Sequence, residues 1–168
     1  MRASRIPPPK GAREDVILFT VNSFRFAIAA NAVSEIRSLE GLQRFSPGAG
    51  YNQTSKVEFT LERNSLTYFV VDAARHLHLP PSKPNRVLIL RHAQAAVLVD
   101  STDRMTQISV LHALPQAFSG AERNWYRGLA VLNGEVVPVV NQTAFLSKPE
   151  MFMLRAAAEQ FKGAAAAV

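Results

Sequence analysis

The sequence has no cysteine, a single tryptophan and few charges: 19% of its 168 residues are charged and 48% are apolar. Without cysteine there is no disulfide framework, no Cys-based zinc site and no thiol nucleophile. No uncharged apolar run reaches the roughly 20 residues of a membrane-spanning helix, and no signal-type apolar region follows the first residues. A chain of this length forms one domain or two very small ones and buries roughly 70% of its extended surface. The expectation is a soluble, cytoplasmic protein without direct membrane insertion.

The formal charge of +6 suggests nucleic acid only until it is located. Arg2, Arg5, Lys10 and Arg13 precede the first acid, Glu14, and the remaining 15 basic and 13 acidic residues nearly balance. Residues 1–13 include RIPPPKGAR, which is rich in proline and basic residues and poor in apolar ones. They read as a disordered basic tail. The body carries no basic stripe, so nucleic acid is not an expected partner, although the tail keeps that alternative open.

The body reads as short strands. Val16–Val21 is β-rich, Asn22-Ser23 is a turn, and Phe24, Phe26 and Ile28 alternate after it. Asn31 opens a short helical or irregular connection through Val33, Glu35 and Ile36. Residues 46–55, rich in Gly, Pro and Ser, form a loop. Alternation from Val57 to Leu61 and the run Leu66–Val71 flank a turn at Arg63-Asn64-Ser65. Asp72 then caps a helix that ends at Pro80-Pro81. A hairpin joins Val87–Leu90 to Ala96–Val99, and Asn133-Gly134 marks another, since both residues accept the positive φ of a type I′ turn.

These pieces repeat. Val16-Ile17-Leu18 matches Val87-Leu88-Ile89 at an offset of 71, and Val33, Ile36 and Leu39 match Met105, Ile108 and Leu111 at 72. Val70-Val71-Asp72 and Leu77 match Val139-Val140-Asn141 and Leu146 at an offset of 69. The period is too long for a solenoid, so the chain holds two similar β-units of about five strands, a number that closes into a small barrel. We place subdomain 1 at about 14–84, subdomain 2 at about 85–147 and a C-terminal helix at about 148–162. That helix carries Met151, Leu154, Ala158 and Phe161 at helical spacing, and residues 163–168 should fray.

A search for chemistry returns little. No Gly-rich phosphate loop, G-x-S-x-G or H-E-x-x-H is present. His76 and His78 point apart if both are helical, so no metal site is expected, and helix-end or surface roles suit the histidines better. Asp72 is explained as a cap, and Asp100 as a turn residue bonding its own backbone. No catalytic residue, cofactor or enzyme activity is expected. Trp125, Tyr126 and Arg127 are candidates for a protein interface, because aromatics and arginine dominate binding hot spots. Phe45 and Tyr51 are of the same kind but suit barrel-end core better.

In order along the chain, FTVNSFRFAI with VSEI, YFVVDAARHLHL, AVLVDSTDRM and YRGLAVLNGEVVPVVN resemble the CheW-like family of chemotaxis receptor–kinase coupling proteins. FLS and the EMFML helix continue the likeness, which covers about residues 15–160. The resemblance implies a mostly β fold of two intertwined five-stranded SH3-like barrels with short connecting helices and a C-terminal helix. It also implies a non-enzymatic scaffold that binds the cytoplasmic tip of chemoreceptors and the regulatory domain of a CheA-type histidine kinase. Such proteins also join into rings beneath the receptor array, at the inner face of the membrane. Val33, Glu35, Val99 and Asp100 match family positions at the receptor-binding groove. Where the family has an Arg-Gly turn, this chain has Asn64-Ser65, with Arg63 one place earlier. A one-residue shift along a strand turns a side chain to the opposite face, unless the turn absorbs it. A divergent scaffold that binds only the kinase or itself is therefore the alternative.

Overall fold

Three hairpins follow from their turn chemistry. In this computed structural model, which describes residues 13–45 and 56–166 with side chains through 160, both residues of Asn22-Ser23, Asn64-Ser65 and Asn133-Gly134 have positive φ. Paired positive φ values match the right-handed twist of the flanking strands, so each turn needs only two residues. The turns join β1 (Glu14–Val21) to β2 (Phe24–Ala29), β5 (Val57–Arg63) to β6 (Leu66–Asp72), and β10 (Tyr126–Leu132) to β11 (Glu135–Val140). A longer turn, with His92 at φ 60°, joins β7 (Arg86–Leu90) to β8 (Ala95–Val99). The remaining strands are β3 (Val33–Arg37), β4 (Gln43–Arg44) and β9 (Ser101–Ile108). The expected tail falls largely on residues 1–12 and the expected loop on 46–55, both outside the described residues.

The two repeats exchange hairpins. Sheet I has the order β10-β11-β2-β1-β9, and sheet II the order β3-β7-β8-β6-β5-β4. Each sheet thus combines one repeat's first hairpin with the other repeat's later strands. The parallel junctions correspond: Val139 lies opposite Ala27 where β11 meets β2, and Val70 opposite Ala96 where β6 meets β8. The division near residue 84 therefore follows the repeats along the chain, while sheet I takes its strands from both ends and sheet II from the middle. Sheet II gains a sixth strand, β4, against β5. The sheets curl but are not closed five-stranded barrels. In sheet I the edges β9 and β10 are joined through the isolated His112–Leu129 bridge that follows β9.

Period-two alternation sorts the apolar residues into three clusters. Val16, Leu18, Ala27, Ile108, Ala130, Val137 and Val139 fill the curl of sheet I. Leu61, Tyr68, Val70, Val87, Ile89, Ala96 and Leu98 fill that of sheet II. The opposite faces, including Ile17, Phe19, Phe69, Leu88 and Val97, meet in one shared core between the sheets. Register shifts in β1–β9 and β3–β7 bend the strands around these cores.

Three local expectations change. Val33–Ile36 is strand, because its alternation pairs it with β7 after a single 3-10 turn at Ala30–Ala32. The helix after Asp72 stops early: α1 spans Ala73–His76, and His78 takes φ 54°. Asp72 does cap it, accepting bonds from the Ala74 and Arg75 N–H groups. The C-terminal helix, numbered α3 after the short α2 (Glu122–Trp125), spans Lys148–Ala166 and continues through the stretch expected to fray. Alanine is the best helix former, and the helix is anchored by buried Leu154 and a Ser147–Glu150 capping box.

Candidate partner-binding site

β3 and β5 lie far apart in the order of sheet II, yet the curl brings their side chains together. Arg63 closes β5 opposite Leu66 and shares the face of Leu61, whose side chain points into the sheet II core. Its guanidinium lies over the Tyr68 ring, 6.0 Å from the centroid, and Nε donates to Glu35 Oε2 at 3.0 Å. Nη1 donates to the Tyr68 hydroxyl at 3.4 Å. That hydrogen bond to Tyr68, with the adjacent Glu35, outweighs desolvation and raises the Arg63 pKa further. Glu35 Oε1 also faces Arg37 Nε at 3.6 Å. The result is a half-exposed cluster of two arginines sharing one carboxylate, with a positive charge in excess, at the opening of the sheet II curl. The arginine displaced along the sequence is thus placed on Glu35 by the tight Asn64-Ser65 turn.

The other sequence-nominated residues do not join this cluster. Val33 and Val99 are 6% and 0% exposed in the shared core, because alternation turns both inward. From there they can support a docking surface from beneath. Asn64 is exposed at its turn. Asp100 lies at the far end of β8, where Oδ2 accepts the Asn22 N–H at 2.7 Å and its own N–H donates to Thr20 O. It therefore stabilises the β1–β2 turn and does not bond its own backbone as expected. Sequence spacing carries no sign of that 78-residue link.

Trp125, Tyr126 and Arg127 are engaged within the molecule. Trp125 rests against His76 and His78, at ring distances of 5.5 and 4.8 Å. Tyr126 stacks on Phe26, and burial, with Glu122 nearby, pushes its hydroxyl pKa up to about 12. Arg127 makes a two-pronged ion pair with Glu14 at 2.6 and 3.1 Å. Phe45 is buried edge-on to Phe69, and Tyr51 lies outside the described residues.

His76 ends α1, as a helix-end histidine was expected to, but it is buried there because Trp125 and Phe145 pack on its ring at 5.5 and 4.8 Å. Its Nδ1 faces Lys56 Nζ at 3.1 Å, and the same ammonium lies 3.2 Å from Glu150 Oε2. Burial, followed by Lys56, drives the His76 pKa down to about 3, so the ring is neutral and Nδ1 accepts a hydrogen bond from the Lys56 ammonium. Burial pulls the Glu150 carboxyl upward, but bonds from Ser147 and Lys56 outweigh it and hold its pKa below the usual value. Sequence reasoning missed Tyr68, Arg37 and Lys56. Tyr68 alone carried a readable signal, as an inward alternation partner of Leu61. Among the described residues, no three His, Asp or Glu side chains converge as metal ligands.

Taken together, the arrangement offers a rigid scaffold of two interlocked sheets with charged edges, suited to binding other proteins. The sequence model of the CheW-like domain matches residues 15–150, and the chain belongs to that family. Among solved structures it superposes on the scaffolding protein TtCheW from Thermoanaerobacter tengcongensis, with a TM-score of 0.67. Identity is 12%, over 87% of this chain and 94% of that one, so the likeness is one of fold. No curated protein matches the chain. No helix among the described residues is long and apolar enough to cross a membrane.

Proposed function

We propose that the protein is a non-enzymatic adaptor in bacterial chemosensory signalling, acting in the cytoplasm beneath the receptors. It couples the cytoplasmic tip of a chemoreceptor to the regulatory domain of a CheA-type histidine kinase, and copies associate in rings with that kinase. The observation that carries this reading is the Glu35–Arg63 pair across the open side of sheet II. Two residues nominated from distant parts of the sequence meet there on an accessible edge, within a CheW-like domain. A helical receptor tip presenting charge and apolar side chains fits such an edge in the helix-in-groove manner. Transient signalling contacts of this kind bury modest area and bind in the micromolar range.

The test is binding of the full chain to two purified fragments from the same cell, a receptor tip and the kinase regulatory domain. Binding to both is expected. Binding to the kinase domain alone would replace this reading with that of a divergent scaffold, and binding to neither would remove it.

A further inference from the structure

A group of polar side chains without partners gathers where β3 begins and β7 ends. The 3-10 turn Ala30–Ala32, the β7–β8 turn and the second 3-10 turn, Gln142–Ala144, surround a cavity of about 410 Å3. The volume falls within the range of small-ligand sites. Its apolar floor is Ala32 and Leu90, and the backbone N–H of Arg91 fastens one wall to the other through Ala32 O at 2.8 Å. Asn31, Arg91, His92 and Gln142 line the rim, and among the described residues none of their side chains makes a hydrogen bond or ion pair. Gln142 Oε1 is buried with no partner at all. His92 is held at φ 60°, a left-handed conformation that a histidine adopts at some cost. No acidic side chain lines the cavity among the described residues.

We propose that this cavity receives an aspartate or glutamate side chain carried on a partner polypeptide. Arg91 supplies a guanidinium fork that matches a carboxylate, and Asn31 and His92 add donors beside it. The Gln142 amide, tied by no hydrogen bond, turns its Nε2 toward the guest and so ends the isolation of its buried oxygen. A buried unpaired amide oxygen is costly, and a guest that lets the amide turn recovers that cost. Arg25, Arg37, Arg63 and Arg127 are each bridged to a carboxylate, whereas Arg91 has none beside it in the cavity. An acid for Arg91 would have to come from outside the cavity, since no acidic side chain lines it. The proposal is independent of which protein the edge at Glu35 binds.

The test is a 15N NMR titration of the full chain with a blocked, helix-forming alanine-based peptide bearing two glutamates one turn apart. Its glutamine counterpart and sodium acetate at equal carboxylate concentration are run alongside. Saturable shifts confined to the amides around residues 31, 91–93 and 142 are expected with the glutamate peptide only. Arg91→Ala, whose side chain is exposed and whose spectrum should otherwise stay dispersed, is expected to weaken them about tenfold. Equal shifts with the glutamine peptide, no saturable shifts, or indifference to Arg91→Ala would overturn the proposal. Acetate matching the peptide would also overturn it, since the site would then serve a free small carboxylate.

Discussion

Sheets I and II are built from the same repeat and close in different ways. In sheet I the strand edges are brought together by backbone: His112 and Leu129 exchange N–H···O=C bonds of 2.8 and 2.9 Å. In sheet II the corresponding gap is spanned by side chains, Arg63 reaching Glu35. The outer faces beside the turns differ as well. Val131 and Val136 face one another on sheet I, both more than half exposed, whereas Glu62 and Thr67 hydrogen-bond at the matching place on sheet II. A backbone closure hides its polar groups and leaves little to recognise. A side-chain closure leaves charges at the surface, where they can be exchanged for a partner's. Under the proposed function, the duplicated fold assigns structure to one opening and recognition to the other.

The largest effect expected comes from removing what the two sheets share. Phe69→Ala opens a cavity in the common core and should cost about 3–5 kcal/mol, with both sheets lost in one denaturant transition. Separate transitions would mean that the sheets are independent units. Acid should weaken the same assembly where α1 meets α3. His76 binds a proton near pH 3 when folded and near its ordinary 6.5 when unfolded. Below about 6.5 the unfolded chain therefore holds more protons. Stability should fall as pH drops from there toward 3, by about 1.4 kcal/mol per unit. His76→Asn should flatten that part of the profile in urea melts collected across pH.

The two closures can then be broken separately. A Cβ on Gly128 would sit 2.5 Å from His112 O and 2.8 Å from Leu111 Cγ. Gly128→Ala should therefore force the sheet I edges apart and cost about 1–3 kcal/mol. Glu35→Ala, at a half-exposed pair in sheet II, should cost less than about 1 kcal/mol. Equal losses of stability for these two variants would contradict the division between a structural and a recognition opening.

The hairpin strands, their turns and the duplication were legible because period-two alternation and Asn-Ser or Asn-Gly turns are local signals, whereas the short strands β3 and β4 were not. Hairpin exchange was not, since nothing in Val16-Ile17-Leu18 records whether it pairs with its own repeat's later strands or the other's. The same limit applied to the site. Glu35 and Arg63 were nominated from family likeness, but their contact depends on the curl of sheet II, a property of the whole sheet. Val33 and Val99 were nominated on the same footing, and the alternation that marks them as strand residues also buries them. The burial of His76 was not legible because it comes from Trp125 and Phe145, both distant in sequence.

The central claim is that the Glu35–Arg63 edge recognises a partner, and charge reversal at Glu35 tests it most directly. Titration calorimetry of the parent and Glu35→Arg against the receptor tip and the kinase regulatory domain would be decisive. The account predicts that the parent binds both, and that the variant, folded as before, loses at least about tenfold in affinity for the tip because its edge now opposes the partner's potential. A variant that binds both fragments as tightly as the parent would contradict it.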